Sequence, residues 1–101
     1  MRYERDFVSN LMSQISNLKR MNLEILTPDK KVFEGEVTAV TVPGTLGSFQ
    51  ILKDHAPIIS TLEDGEVIIK AGKTDEQRFF IKGGVVEVIH NKIVVLAEGI
   101  A

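Results

Sequence analysis

The side chains that could in principle perform nucleophilic catalysis are few. A serine, a histidine and an acid can form a triad in which the histidine accepts the serine proton, and the candidates here are Ser48, Ser60, His55, His90 and Asp54. No serine stands in the Gly-x-Ser-x-Gly pattern of a nucleophile elbow. Two histidines without any cysteine supply no metal-ligand spacing. We therefore predict no catalytic, cofactor-binding or metal-binding residues.

The same candidates have a simpler structural interpretation. The run Asp54-His55-Ala56-Pro57 predicts a corner, because a proline biases the preceding residue toward an extended backbone and His55 can hydrogen-bond to the loop. His90 precedes Asn91 in a predicted hairpin turn, where we expect it to be solvated. Gly83-Gly84 lacks the helix start and motif of a phosphate-binding loop. It predicts a bend or bulge in a strand instead.

The composition predicts one mostly β domain. The 101 residues include 11 Val and 11 Ile against 8 Leu, and β-branched side chains favour a pleated, half-buried surface. A net charge of −2 gives no reason to expect nucleic acid as a partner. No apolar run approaches the ~20 residues of a membrane-spanning helix, so we predict no direct membrane insertion.

Short apolar runs separated by turn residues predict an antiparallel β-sandwich or flattened barrel of about nine to ten short strands. The predicted strands are Asn22–Leu26, Lys31–Phe33, Glu36–Val42, Ser48–Leu52, Ile58–Leu62, Glu66–Ala71, Gln77–Lys82, Val85–His90 and Lys92–Ala97. The spacing of the connections between them favours hairpins. Strands do not alternate with long helical patterns, so a parallel α/β sheet is not expected.

Residues 1–20 differ from the rest of the chain. Apolar side chains recur there at intervals of three and four residues, which predicts an amphipathic helix. They are Phe7, Val8, Leu11, Met12, Ile15 and Leu18. This segment is either a genuine N-terminal extension, the product of a start codon assigned too far upstream, or an artefact of expression. The sandwich domain is predicted to comprise residues 21–101.

A ligand-binding β-sandwich, such as a carbohydrate module, is the alternative to a protein-interaction domain. Such modules ordinarily present aromatic platforms beside polar groups. This chain has no Trp and one Tyr, and the Tyr lies in the N-terminal extension. The composition therefore disfavours this alternative.

Several segments together resemble the epsilon subunit of the rotary F-type ATP synthase. The segment Val42–Pro57 joins a Pro-Gly-x-x-Gly turn, a short apolar strand and a His-Ala-Pro corner, as in that family. The other matching segments are Met21–Asp29, Val32–Val37, Phe80–Val88 and Val94–Glu98. They follow the family's order and spacing from Met21 to the end of the chain.

The resemblance implies a non-catalytic subunit of the central stalk, or rotor, of a proton-translocating ATP synthase. In this family the sandwich packs against the gamma subunit and rests on the membrane-embedded c-ring, and ATP chemistry takes place elsewhere. Gamma and the c-ring are therefore the implied partners, and no cofactor is implied. The implied location is the cytoplasmic face of the bacterial inner membrane, peripheral through the complex.

By the same resemblance, the turn that faces the c-ring loops comprises Gly44, Thr45, Leu46, Gly47 and Ser48. His55 matches a position near the same end and toward gamma. Many relatives carry acidic residues in place of Leu46 and Ser48, so charge complementarity to the ring is not implied for this chain.

Relatives with the full architecture continue into a C-terminal pair of helices, which carries the ATP-binding motif and the inhibitory conformation. The sequence stops at Ala101, which predicts either a natural short form of the subunit or an artificially truncated one. Neither ATP binding nor the inhibitory conformation is therefore assigned to this chain.

Overall fold

The computed structural model describes residues 20–72 and 74–101, and the residues in these ranges form eight β-strands. The strands are β1 (Met21–Leu26), β2 (Lys31–Val37), β3 (Ala39–Gly44), β4 (Gly47–Ile51), β5 (Ile58–Leu62), β6 (Gly65–Lys70), β7 (Glu76–Ile89) and β8 (Lys92–Ile100). Every peptide bond described is trans. The predicted N-terminal helix lies outside the described residues. No helix in the described ranges is long and apolar enough to cross a membrane.

The eight strands are hydrogen-bonded into one folded sheet, and the long strand β7 joins its two halves, called the two sheets below, which enclose one core. Its second half pairs with β5 and β8, and β8 continues through β1 to β2. Its first half pairs with β6, which continues through β3 to β4. The strand bends between the two halves at Gly83 and Gly84, whose φ values are 51° and 137°. The predicted glycine bend is therefore confirmed, and it makes β7 a member of both sheets.

Alternation along the strands places one apolar face of each sheet in a shared core. Residues 21, 23 and 25 of β1 are buried while their neighbours are more exposed, and β8 shows the same period of two. Such alternation is typical of sheets with one face in the core. The side chains that are fully buried in this core include Leu23, Ile25, Val40, Ile51, Ile81 and Ile93. In the described ranges, no polar or charged residue belongs to the buried class.

The mostly β, sandwich-type fold is confirmed, with three differences in detail. The two strands predicted at Gln77–Lys82 and Val85–His90 are one strand, because backbone pairing continues through the bend at Gly84. Strand β2 runs through Gly35, which pairs with Leu23, and the predicted strand Glu36–Val42 is divided at Thr38 between β2 and β3. The described ranges thus hold eight strands rather than nine or ten.

The strand connections differ from the sequence prediction at two points. Strands β1 and β8 pair in parallel, whereas an entirely antiparallel arrangement was predicted. The connection at Glu63-Asp64 was predicted to favour a hairpin, but β5 and β6 each pair with β7 and not with each other. This short connection therefore carries the chain from one sheet to the other.

Candidate partner-binding site

The turn between β3 and β4 projects an apolar side chain into solvent. Gly44 and Gly47 face each other across the end of the hairpin, which leaves Thr45 and Leu46 at its tip. A Cβ atom on Gly44 would lie 2.7 Å from the Gly47 carbonyl oxygen and 2.9 Å from the ring of Phe49. Only glycine fits there without displacing the backbone. Leu46 has a relative exposure of 104%, so nothing in the described residues covers it.

Hydrogen bonds hold the base of this turn against the neighbouring sheet. The backbone N–H of Thr45 donates to the carbonyl oxygen of Thr61 at 3.2 Å, and the hydroxyls of these threonines lie 2.9 Å apart. The backbone N–H of Glu63 donates to the carbonyl oxygen of Pro43 at 2.9 Å. These contacts join strands of both sheets. The tip of the turn therefore extends from a braced base.

A shallow groove of about 550 Å³ runs beside the turn, between the edge strands β4 and β5. Phe49 and Ile58 are partly buried in it and pack against the core. The groove is lined by Gly44, Thr45, Leu46, Gly47, Phe49, His55, Ile58, Ile59, Ser60 and Thr61. The structure thus brings His55 together with four of the five turn residues implied by the resemblance. Ser48 is exposed but does not line the groove.

The predicted corner before β5 contains a residue with a left-handed backbone conformation. Asp54 has φ of 66°, a conformation that Asp and Asn tolerate better than most residues. The backbone N–H of His55 donates to the carbonyl oxygen of Leu52 at 3.1 Å. Its ring Nδ1 lies 2.8 Å from the carbonyl oxygen of Ala56, and a carbonyl can only accept, so Nδ1–H donates this bond. The predicted bond from His55 to the loop backbone is confirmed.

The corner is also joined to the turn between β7 and β8. The Asn91 side chain accepts a hydrogen bond from the Asp54 backbone N–H at 2.6 Å and donates one to the Asp54 carboxylate at 3.1 Å. Together with the Lys53 ammonium, this bond lowers the pKa of Asp54 below its ordinary value of 3.8. Asn91 and exposed His90 both have positive φ, as a tight hairpin turn requires. The prediction of a solvated turn at His90 is confirmed.

Among the five residues considered for a catalytic triad, Asp54 and Ser60 make hydrogen bonds that do not belong to a triad. The carboxylate of Asp54 accepts hydrogen bonds from Lys53 and Asn91. The hydroxyl of Ser60 points to the carbonyl oxygen of Thr61 at 3.4 Å, although Ser60 lines the same groove as His55. Among the described residues, no hydrogen bond joins a histidine to one of these serines or to the aspartate.

A second depression, which the sequence analysis missed, continues from the groove across β5. It has a volume of about 460 Å³ and is lined by Pro57, Ile58, Ile59, Glu87, Val88 and Ile89. Ile59 is 74% exposed and lies opposite Glu87 across the strand pair. The adjacent pair Ile58-Ile59 could have indicated this exposed surface from the sequence, because consecutive residues of a strand point to opposite faces. One of the two isoleucines therefore had to lie outside the core.

The sequence matches a family model over residues 20–101, described as the β-sandwich domain of the ATP synthase delta/epsilon chain. This match covers every strand described above, and the chain belongs to this family. The predicted family resemblance is thereby confirmed.

Individual relatives agree with the family model. The ATP synthase epsilon chain of Chlorobium limicola is 43% identical over 86 residues, which is 85% of this chain and 98% of the relative. That of Chlorobaculum tepidum is 41% identical with the same coverage. The epsilon chain of Sulfurimonas denitrificans is 39% identical, and the match covers 81% of this chain but 63% of the relative. Epsilon chains about as short as this domain therefore exist beside longer ones.

Two solved structures share the fold. A chain in the Euglena gracilis mitochondrial ATP synthase, from a structure of its OSCP, F1 and c-ring, superposes with a TM-score of 0.77 at 16% identity. It covers 82% of this chain, and the match spans 53% of that chain. A chain from the central stalk and c-ring of the Tetrahymena thermophila mitochondrial enzyme gives 0.67 at 19% identity, covering 80% of this chain and 65% of that one.

Proposed function

We propose that this chain is a non-catalytic rotor subunit of a proton-translocating F-type ATP synthase, which connects the gamma subunit to the c-ring. The observation that carries the proposal is the family match over all eight described strands. Relatives of nearly the same length named ATP synthase epsilon chain support it. Its partners are gamma and the c-ring.

The architecture suits a mechanical role. Protein interiors are packed as tightly as organic crystals and resist compression. The core here is entirely apolar in the described ranges, and β7 runs through both sheets. A sandwich whose sheets share a strand resists sliding of one sheet over the other. Such a body transmits force between two partners without any chemistry of its own.

The contact with the c-ring is assigned to the turn Gly44–Ser48, and His55 lies toward gamma. Support for this assignment comes from the exposure of the turn, its braced base and the groove that it shares with His55. The chain is placed on the cytoplasmic face of the bacterial inner membrane, peripheral through the complex. The bacterial source of its relatives supports that location.

The function is tested by removing the subunit from membranes of its own organism. ATP-driven proton pumping should fall relative to ATP hydrolysis, and adding back the purified chain should restore the ratio. The purified chain should hydrolyse no ATP and should co-purify with gamma and the c-ring. Unchanged pumping and assembly in its absence would refute the coupling role.

A further inference from the structure

We propose that, in the isolated chain, residues 1–19 fold back over the sandwich and cover an apolar patch on the outer face of one half of its sheet. This half comprises β5, the second half of β7, β8, β1 and β2. The patch, called the outer patch below, consists of Leu26, Ile59, Val85, Ile89, Val94 and Leu96. The contact is made within one chain and does not depend on the proposed function.

Strand register brings the six side chains of the outer patch together. Each is adjacent in sequence to a residue that is buried in the core or packed against it, and successive residues of a strand point to opposite faces. Leu96 stands beside Val85 on one side and Leu26 on the other. Ile59 and Ile89, which line the second depression, are 74% and 44% exposed. A contiguous apolar surface of this kind typically marks an interaction site.

The chain enters the sheet beside this patch. The backbone N–H of Asn22, in β1, donates to the carbonyl oxygen of Asn91 at 3.0 Å, so β1 begins at the end of the sheet where β7 turns into β8. Asn22, Lys92 and Ile89 are neighbours in one row across three strands, and two strand spacings amount to about 10 Å. Residue 20, with which the described part of the chain begins, therefore lies close to the outer patch.

The N-terminal segment is long enough to span the patch. The predicted helix carries its apolar stripe from Phe7 to Leu18, and a helix of this length extends about 18 Å. The distance from β1 to β5, across β8 and β7, is three strand spacings or about 14 Å. A helix that runs across these strands from its attachment at β1 therefore places its stripe over the outer patch. Both apolar surfaces leave water when they meet, which favours the contact.

The charges of the segment and of the outer face are complementary. Residues 1–20 contain four basic and two acidic side chains, and one of the basic side chains, Arg20, binds Glu36 at 2.7 Å. Acidic residues outnumber basic ones on the outer face of this half of the sheet. They are Glu24, Glu34, Glu36, Glu87 and Glu98, against Lys31 and Lys92. Charge complementarity therefore favours residues 1–19 over an acidic partner as the occupant. The family match begins at residue 20, so this segment lies outside the sandwich domain that the chain shares with its relatives.

A nitroxide spin label on the whole chain tests the contact by NMR. The chain has no cysteine, so Ser13→Cys provides a single attachment point, on the polar side of the predicted helix. The label should broaden the amide signals of Ile59, Val85 and Val94, and it should leave those of β4 and β6 sharp. Adding Leu11→Asp and Ile15→Asp should abolish the broadening, because a carboxylate is costly to bury against an apolar surface.

The matched control adds the same two charges to the other side of the helix. Asn10→Asp with Asn17→Asp should retain the broadening that Leu11→Asp with Ile15→Asp removes. A spin-labelled chain mixed with an isotope-labelled chain that carries no spin label should broaden nothing, and broadening there would assign the outer patch to a second copy instead. Sharp signals across the patch in labelled Ser13→Cys, or broadening that survives the Leu11 and Ile15 substitutions, would also overturn the proposal.

Discussion

Asn91, in the turn between β7 and β8, holds Asp54 through both atoms of its side-chain amide. The carbonyl oxygen accepts from the Asp54 backbone at 2.6 Å, and the nitrogen donates to the Asp54 carboxylate at 3.1 Å. These residues are 37 positions apart. The pair fixes the start of the corner that carries His55 to the groove, so a residue outside the groove helps to position one of its walls.

Replacing Asn91 with glycine should raise the pKa of Asp54 toward its ordinary value. Glycine tolerates the φ of 61° at this position, so the substitution removes the amide while the turn is retained. The bond from Asn91 is the main cause of the lowered pKa. An NMR titration of the Asp54 carboxyl would measure the change. An unaltered pKa would show that Lys53 alone maintains it.

The hydrogen bond between Asn91 and Asp54 should also make the stability of the chain depend on pH. Because the pKa of Asp54 is lower in the folded chain, ionised Asp54 contributes stability above the ordinary value of 3.8, and this contribution is lost as the pH falls through the folded pKa. In Asn91→Gly the acid-induced loss attributable to Asp54 should therefore diminish. Thermal melts of both proteins at neutral and acidic pH would measure it, with Asn22→Gly as the control for loss of an exposed asparagine amide.

Gly84→Ala should destabilise the sandwich by at least about 2 kcal/mol. A Cβ atom there would lie close to the Leu96 carbonyl oxygen, and the φ of 137° is unfavourable for alanine. Gly99→Ala on β8 is the control, because the nearest atom to its Cβ is the Lys82 Cδ at 3.9 Å. Urea unfolding of both variants would compare them. Equal stability of the two would contradict the role assigned to the bend in β7.

Ile93→Ala should cost about 2 to 5 kcal/mol, as expected when a large core side chain is truncated. Ile93 is fully buried, whereas Ile100 on the same strand is 39% exposed. Ile100→Ala should therefore cost less than about 1 kcal/mol, because less apolar area returns to water. Denaturant melts measure both changes. A similar loss in both variants would mean that β8 does not contact the core as described.

Introducing lysine at Leu46 or Ser48 should weaken association with the assembled rotor. Both side chains are exposed, so the isolated chain should change in stability by no more than about 0.5 kcal/mol. Gln77→Lys, on the first half of β7, adds the same charge away from the turn and should bind normally. Co-purification with gamma and the c-ring provides the measurement. Normal binding by both turn variants would make this turn a plain surface loop.

Local sequence patterns predicted most strands of this fold but not their long-range pairing. Alternation of apolar and polar residues located β1, β4, β5 and β6 to within one residue at each end. The prediction ended strands at Gly35 and at Gly83-Gly84, because glycine locally disfavours a strand. In the structure, cross-strand hydrogen bonds continue β2 and β7 through these residues. The parallel pairing of β1 with β8 depends on residues about 70 positions apart, and no local pattern reports it.

The candidate partner-binding site was predicted only in part, because some of its contacts also depend on long-range pairing. The turn was evident from Pro43-Gly44 and Gly47, since these residue types favour tight turns. Its brace was not, because Thr45 meets Thr61 only when the edges of the two sheets come together. The groove likewise requires β4 and β5 to flank it. Residue types thus indicated the turn, whereas the surface beside it depends on how the sheets close.

The pairing of β1 with β8 determines when this domain can fold during its synthesis. Of the described strands, β1 is made first, and until β8 follows it has β2 as its one partner in the final sheet. An isolated hairpin is marginally stable in water, and β5 also gains its main partner only when β7 is made. The two sheets therefore cannot close on their shared core before β8, the last of the eight described strands, has been made.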